Sequence, residues 1–267
     1  MTRASLKSVA RLLDSATETR PPEQMFLDDL KRSIELTDEK NQRKPSQTYK
    51  PSSMNCIRNM YYQVTGAEPD KGTSSYTLVG ICDSGTDIHE RVQTAVSHMR
   101  DNGIDCEYID IAKFVKQRKL SDIQIVSKSG METKLFHKKL NMSFMCDGII
   151  KYKNHYYILE LKTENSYKWQ SRKGVDPKHY NQGIAYSLAF GLNEVIFVYI
   201  NRDVLDMKSF MFKVTGNMKE ELIGKIENCD EYVKKLKTPP KPKNAGGKLC
   251  QYCNYKSTCD REVVISQ

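Results

Sequence analysis

The spacing of apolar residues predicts several helices along the chain. Ile88, Val92 and Val96 recur at helical intervals, so they form one stripe on the side of a helix. At 176–177, Asp followed by Pro supplies a cap and a first helical residue, and Gly191 ends the same helix. The predicted helices cover residues 4–15, 22–38, a stretch within 52–66, 86–100, 177–190 and 217–237.

Apolar runs of a different kind predict strands in the middle and later parts of the chain. Residues 142–162 form two strands joined by a tight turn, 194–200 is a continuous apolar run, and 208–214 alternates. Shorter strands are predicted at 105–111 and 122–127. The order strand, strand, helix, strand then predicts an α/β fold with a mixed central β-sheet flanked by helices. The segments predicted as loops are 66–83 and 165–175.

The hairpin over 142–162 brings three ionisable side chains together. If Lys153 and Asn154 form a two-residue turn, Tyr152 pairs with His155. Counting along both strands from that pair places Asp147 opposite Glu160. Lys162 lies two residues beyond Glu160 and therefore points to the same face of the strand. Two carboxylates beside an ammonium group can hold a hard divalent cation and place the lysine next to a metal-bound water.

The alternative is a solvated hairpin that carries its charges on an outer face. Ile158, Leu159 and Leu161 favour the first interpretation, because they make the second strand apolar on both sides of Glu160. An acid on a buried strand needs a partner or an ion.

Three further residues are candidates for the same site. His89 lies on the apolar side of its predicted helix, where it is either a core residue or an additional metal ligand. Gln182 and Tyr186 are four residues apart and share a helix face. They either pack on the sheet or point into the cleft beside Glu160.

The cysteines form one cluster and four isolated positions. Cys250, Cys253 and Cys259 are spaced as metal ligands, and Cys56 is the candidate for a fourth ligand from the far side of the chain. A ligand from so far away would join the two ends of the protein. The isolated cysteines are predicted to be small buried hydrophobic residues: Cys82, Cys106, Cys146 and Cys229.

Charge and composition add a class of partner and a compartment. The 267 residues include 42 basic and 33 acidic side chains, and the net charge of +9 favours a polyanion as partner. No apolar run reaches the roughly 18 residues that a membrane span needs. Without an apolar secretion signal, the clustered cysteines indicate a reducing, cytoplasmic location. The basic first residues leave the mitochondrial matrix as the alternative.

Taken together and in this order, the motifs resemble the RecB-like branch of the PD-(D/E)XK nuclease superfamily. The resemblance is to its iron–sulfur subgroup, which includes the AddB nuclease domain and the CRISPR adaptation nucleases; viral recombination exonucleases belong to the same branch. It extends from about residue 52 to residue 259. The segments that carry it are PSSMNCIRNMYY, GTDIHERVQ, CDGII, ELK, NQGIAY and the terminal Cys-x2-Cys-x5-Cys.

The resemblance implies a role for each matching residue. Lys162 would position or deprotonate the attacking water, and Gln182 and Tyr186 would contact DNA or support the site. The Mg²⁺ or Mn²⁺ ligands would be His89, Asp147, Glu160 and the main-chain carbonyl of Leu161. A 4Fe-4S cluster, with zinc as the alternative, would be held by Cys56, Cys250, Cys253 and Cys259.

The sequence thus predicts a metal-dependent DNA nuclease, acting as an exonuclease at DNA ends or on single strands in recombination, repair or replication. The alternatives are a DNA-binding or assembly protein that does not cleave, and an endonuclease. Tyr61, Tyr62 and Tyr167 are candidates to stack on unpaired bases, with core packing as the alternative. A helicase, a recombinase or a single-strand-binding protein would be a separate partner.

The expected organisation is a restriction-endonuclease-like core with additional segments on both sides. A helical region at 1–83 carries the first cluster cysteine, the nuclease core covers 84–216, and 217–267 holds a helix and the remaining cluster cysteines. The C-terminal cysteines are expected to close onto the N-terminal helical region.

Overall fold

The computed structural model describes residues 21–41, 46–70, 75–242 and 246–265. The helix predicted over 4–15 lies outside these residues. The chain divides into two compact units, one formed by residues 1–43 with 72–81 and the other by 44–71 with 82–267. Among the described residues, no helix combines the length and apolar character that a membrane span requires.

The larger unit is built on two sheets with helices packed against them. Its strands, in chain order, are β1 (Cys106–Ile109), β2 (Ile123–Ser129), β3 (Glu132–His137), β4 (Met142–Met145), β5 (Gly148–Tyr152), β6 (His155–Glu164), β7 (Glu194–Asn201) and β8 (Met207–Lys213). The helices of the described residues are α1 (Pro22–Asn41), α2 (Ile57–Val64), α3 (Tyr76–Ser97), α4 (Ile111–Gln117), α5 (Ser166–Gln170), α6 (Tyr180–Phe190), α7 (Gly216–Lys234), α8 (Lys248–Gln251) and α9 (Lys256–Ile265).

The central sheet is mixed, as predicted. Its strand order is β1-β5-β6-β7-β8, and β6 pairs in parallel with β7 while the other neighbours are antiparallel. The second sheet, β2-β3-β4, is antiparallel throughout. The α/β class with helices flanking a mixed sheet is therefore confirmed.

Strand β6 is buried on both faces, which explains its nearly continuous apolar sequence. On one face, Ile158 belongs to a hydrophobic core that includes Ile184 of α6. On the other face, Leu159 and Leu161 pack with Val92 of α3. Side chains that alternate along the strand thus reach two separate cores.

The turn between β5 and β6 has the predicted geometry. Lys153 and Asn154 have φ angles of 46° and 66°, so both adopt the left-handed conformation of a two-residue hairpin turn. Tyr152 pairs with His155 across it. The end of α6 is also as predicted, because Gly191 has a φ of 69° and caps the helix.

Three local predictions are wrong. The loop predicted at 66–83 already contains the first turns of α3, and the loop predicted at 165–175 contains α5. The predicted strand 105–111 ends early, because the Asp110 side chain accepts the amide of Lys113 and starts helix α4.

Candidate functional site

The hairpin has the predicted register, but the strand breaks at the first acid. Pairing runs from Tyr152 with His155 to Gly148 with Leu159, and it stops one pair before Asp147 would face Glu160. The preceding residues belong to β4 in the other sheet. Asp147 therefore lies in the gap between two strands, and its backbone is not part of the β5–β6 ladder.

Four hydrogen bonds fix Asp147 in this gap. One carboxylate oxygen, Oδ2, accepts the main-chain amide of Leu161 at 2.6 Å, and Oδ1 lies 3.1 Å from Nδ1 of His89. The main-chain carbonyl accepts Nε2 of Gln93 and the hydroxyl of Tyr108, each at 2.7 Å. Both the backbone and the side chain of the acid are thus held in one orientation.

Gln93 and Tyr108 are members of the site that the sequence prediction missed. Gln93 could have been found, because it follows His89 by one helical step of four residues and so shares its face. Tyr108 left no such signal, since it depends on the pairing of β1 with β5. Gly148 makes the contact possible: a Cβ atom there would lie 2.7 Å from Cε2 of Tyr108.

Glu160 is the most deeply buried acid of the site. Its side chain accepts Nζ of Lys162 at 2.5 Å and Nε2 of Gln182 at 2.6 Å, both on Oε1. The other oxygen, Oε2, is buried and has no hydrogen-bond partner among the described residues. Burial raises the pKa of Glu160 to about 8; Lys162 opposes this rise and the nearby Asp147 adds to it.

Gln182 and Tyr186 form the support behind Glu160. The amide of Gln182 also donates to the Tyr186 hydroxyl at 2.8 Å, and that hydroxyl donates to the carbonyl of Met145 at 2.6 Å. Tyr186 is only 3% exposed. Its hydroxyl therefore links Gln182 to the backbone of Met145 inside the protein.

The acids of the site raise the pKa values of its two basic groups. Burial lowers the pKa of Lys162, but the Glu160 carboxylate raises it by more, so the net change is upward. In the same way, burial lowers the pKa of His89, and the hydrogen bond to Asp147 together with the negative charges of Asp147 and Glu160 more than offsets that effect. Both groups carry a positive charge more readily than they would in water.

The donor atoms of this site suit a hard divalent cation. They comprise an imidazole nitrogen of His89 and carboxylate oxygens of Asp147 and Glu160, one of which is buried without a partner. His89 and Asp147 are bonded to each other, and no group of three His, Cys, Asp or Glu side chains in the described part of the chain converges as a metal cage. The residue types and the orphaned oxygen fit a cation, although the side chains would have to rearrange around it.

The four predicted cluster cysteines line one cavity of about 720 Å³. Asn59, also in the lining, donates to Sγ of Cys253 at 3.5 Å. Four thiol groups match in number and type the ligands of an iron–sulfur cluster or a zinc ion, but in the described part of the chain no three of them converge as a metal cage, so the side chains would have to move to bind either one. The cysteines that supply these thiol groups are Cys56, Cys250, Cys253 and Cys259.

The segments that carry these cysteines are also joined by ordinary contacts. Asp70 donates its amide to the carbonyl of Asn254 at 2.6 Å, and its carboxylate accepts both the amide and the hydroxyl of Ser257. The rings of Tyr62 and Tyr255 pack with their centroids 5.6 Å apart. The early segment and the C-terminal segment are thus joined by hydrogen bonds and by packing of two aromatic rings.

Three of the four isolated cysteines are buried, as predicted: Cys106, Cys146 and Cys229. The prediction is wrong for Cys82, which is exposed on α3. The helical stripe that faces the core begins later, with Ile88.

Comparison with known proteins finds a limited likeness. No family model matches the chain, and no curated protein matches it. Among solved structures it is similar to SSO0001, with 14% identity, 87% of this chain and 96% of that chain covered, and a TM-score of 0.45. It is also similar to the alkaline exonuclease LHK-Exo from Laribacter hongkongensis, with 9% identity, coverage of 84% and 96%, and a TM-score of 0.42. For LHK-Exo in complex with dAMP the identity is 11%, 71% of this chain and 91% of that chain are covered, and the TM-score is 0.40. Likeness at these values does not assign a function to this chain.

Proposed function

We propose that the protein is a metal-dependent nuclease that hydrolyses phosphodiester bonds in DNA, as an exonuclease at ends or on single strands. The observation that carries the proposal is the buried Glu160, whose Oε2 lacks a partner while Oε1 binds Lys162. Asp147 and His89 lie beside this pair. A buried acid with a free oxygen is costly in a protein unless an ion completes it.

His89, Asp147, Glu160 and the carbonyl of Leu161 would hold Mg²⁺ or Mn²⁺. Such a cation, when bound, would supply Lewis-acid stabilisation of the phosphate and would make the attacking water easier to deprotonate.

The protein's own groups would orient the reactants. The ammonium group of Lys162, fixed by Glu160, would donate a hydrogen bond to the attacking water and orient it, and only after losing its own proton could the amine take one from that water. Gln182 keeps the Glu160 carboxylate from rotating, because it bonds the same oxygen as Lys162. The donors around Asp147 do the same for the first acid.

The net charge of +9 supports a polyanionic substrate. Binding that depends on phosphate contacts should weaken steeply as salt increases, because each contact releases counterions. A helicase, a recombinase or a single-strand-binding protein would be a separate chain that supplies or uses the processed DNA.

We further propose that the cysteine cavity holds a 4Fe-4S cluster that joins the early and C-terminal segments. The four thiols that line the cavity support this, and a zinc ion in place of the cluster is the alternative. Protein purified without oxygen should then be brown, with a band near about 400 nm from sulfur-to-iron charge transfer. A colourless preparation with one equivalent of zinc would assign the cavity to zinc instead.

The central test is digestion of end-labelled linear DNA and closed circular DNA with Mg²⁺ or Mn²⁺. An exonuclease should degrade the linear substrate and leave the circle intact. Asp147→Asn and Glu160→Gln should each slow cleavage by roughly 100-fold or more, the scale of losing one electrostatic group at a reacting centre. Glu194→Gln, which removes a surface acid paired with Lys213, is the matched control and should cleave normally. Unchanged cleavage by Asp147→Asn would refute the assignment.

A further inference from the structure

The segment after β6 presents the most exposed aromatic side chain among the described residues. Tyr167 lies on the short helix α5 and is 87% exposed, whereas Tyr62 is buried and Tyr61 packs on the core. Of the three tyrosines that the sequence suggested for base stacking, only Tyr167 offers its ring to a ligand. A single exposed tyrosine is common on protein surfaces, so exposure alone assigns no role.

The position of Tyr167 relative to the proposed active site is the second observation. It follows Lys162 by five residues, which limits their separation along the chain to about 17 Å. It lies at the edge where the parallel strands β6 and β7 end together, since Glu164 pairs with Asn201. Ligands of open α/β sheets bind at this carboxyl edge.

A buried charge network holds the segment in place. Glu164, which is buried, accepts Nε and Nη2 of Arg172 at 3.1 and 2.5 Å. The same guanidinium group donates to Asp176 at 3.1 Å and lies 4.6 Å from the ring centre of Tyr199. Nζ of Lys168 is 2.9 Å from Glu164. These contacts close the loop between residues 164 and 176 at both ends.

The short helix has further anchors. The Asp203 carboxylate accepts the amide of Ser166 at 2.7 Å, and the Trp169 indole donates to the carbonyl of Tyr199 at 3.1 Å. Lys208 lies 4.1 Å from the Trp169 ring centre and donates to the Trp169 carbonyl at 3.0 Å. One turn of helix is thus held by contacts from two strands.

Such a network fixes geometry more than it adds stability, because removing charges from water offsets most of their attraction. Its effect here is to hold the backbone that presents Tyr167 outward. A tyrosine on a rigid backbone loses little conformational freedom when it stacks on a ligand. Lys173, exposed on the same loop, and the partly exposed Lys168 are cations that phosphates could contact.

We propose that α5 is a stacking platform on which an unpaired nucleobase lies against the Tyr167 ring, beside the active site. The inference rests on the proposed function and deepens it, since it assigns the preference for single strands to one side chain. Every base has an aromatic face, so the platform would accept any sequence. In a duplex those faces are covered by neighbouring pairs, and the platform would gain nothing.

The test is binding by the full-length protein, with Ca²⁺ as the only added divalent cation, to an oligonucleotide of about 20 nucleotides that contains the fluorescent base 2-aminopurine. Tyr167→Ala should weaken binding of the single strand by about 5- to 160-fold, the range measured for loss of one base–aromatic stack. It should also abolish quenching of the fluorescent base at one position. Tyr167→Phe keeps the ring and should behave as the wild type. The wild type and both variants should bind the duplex form of the oligonucleotide with equal affinity.

Several outcomes would overturn the platform. The platform is refuted if Tyr167→Ala binds the single strand within about twofold of the wild-type affinity. It is also refuted if Tyr167→Ala loses as much affinity for the duplex as for the single strand, or if Tyr167→Phe loses as much affinity as Tyr167→Ala. A matched RNA strand separates the two sources of an unpaired base: equal losses on RNA and DNA support a general platform, and a loss on DNA alone supports a DNA-specific one. Because the side chain is exposed, the melting temperature of Tyr167→Ala should not change.

The network has its own variant. Arg172→Lys keeps the charge but loses the two-bond contact with Glu164, so it should weaken quenching while Tyr167 is still present. Wild-type quenching in this variant would overturn the role of the network.

The nuclease proposal fails separately from the platform. If the wild type does not cut DNA with Mg²⁺ or Mn²⁺ while Tyr167→Ala still weakens single-strand binding, the protein binds through the platform but is not a nuclease.

Discussion

Replacing Gly148 by alanine should destabilise the protein through a single contact. The glycine is buried, and a Cβ atom built on it would lie 2.7 Å from Cε2 and 3.3 Å from the hydroxyl oxygen of Tyr108. The tyrosine ring would have to move. It cannot do so cheaply, because its hydroxyl donates to the carbonyl of Asp147.

The size of the effect follows from two contributions. Forcing a methyl group into a packed site costs about 1–3 kcal/mol. Losing the Tyr108 hydrogen bond as the ring moves adds about 0.5–1.5 kcal/mol. The free energy of unfolding should therefore fall by about 1.5–4.5 kcal/mol. At about 2–4 °C per kcal/mol for a domain of this size, the melting temperature should drop by roughly 3–18 °C.

The assay is thermal and urea unfolding of four variants beside the wild type: Gly148→Ala, Gly174→Ala, Tyr108→Ala and the double variant of Gly148→Ala with Tyr108→Ala. Gly174→Ala is the matched control, because a Cβ atom there meets nothing within 4 Å, and it should unfold like the wild type. In a Tyr108→Ala background the obstacle is gone, so Gly148→Ala should cost at least about 1 kcal/mol less than it does alone. The reasoning is refuted if Gly148→Ala unfolds like Gly174→Ala, or if its cost is the same with and without Tyr108.

Further predictions concern the support of Glu160, the cofactor and acid stability. Gln182→Ala leaves Glu160 with one donor and should lower the kcat for DNA cleavage by about tenfold, which corresponds to about 1.4 kcal/mol for one hydrogen bond to a charged group; an unchanged kcat would contradict the supporting role. Cys56→Ser should abolish the proposed absorption band near about 400 nm, whereas Cys82→Ser, at an exposed cysteine outside the cavity, should retain it. Burial raises the pKa of Asp176, but hydrogen bonds from the Lys178 amide and from Lys168 outweigh this and lower it to about 2. Its stabilisation is therefore present above the ordinary pKa of an aspartate and is lost as the pH falls towards 2, so Asp176→Asn should flatten the urea stability profile in that acid range; an unchanged slope would count against the network.

The hairpin and its register were predictable because local rules determine them. A two-residue turn fixes which residues pair, and here Lys153 and Asn154 both adopt the positive φ angles that such a turn requires. Once Tyr152 and His155 pair, every later pair follows by counting. Local signals also placed the end of α6, where Gly191 adopts the left-handed conformation.

The surroundings of Asp147 could not be predicted in this way, because they depend on contacts between distant segments. Tyr108 reaches the carbonyl of Asp147 only because β1 pairs with β5, and nothing in the sequence near either residue announces that pairing. The charge network around Glu164 is similar, since it depends on a loop that the composition indicated only as polar. A local sequence pattern does not determine which distant strands pair, so it cannot predict contacts that depend on that pairing.

The break in the strand at Asp147 shows what the simple hairpin picture omits. In an unbroken ladder, the main-chain carbonyl of Asp147 would be committed to a neighbouring strand, and its carboxylate would only face Glu160. Because the ladder ends at Gly148, that carbonyl instead accepts Gln93 and Tyr108. Its buried polar groups are thereby satisfied by side chains.

The same break releases the carboxylate to take a position that a paired strand residue could not reach. Oδ2 accepts the amide of Leu161 from the next strand, and Oδ1 faces His89 of α3, while Glu160 is held by Gln182 of α6. The two acids are therefore each fixed by a helix packed on a different face of β6, at the point where the β5–β6 ladder ends. The local irregularity of the strand, more than the regular pairing that predicted it, is the feature on which the proposed chemistry depends.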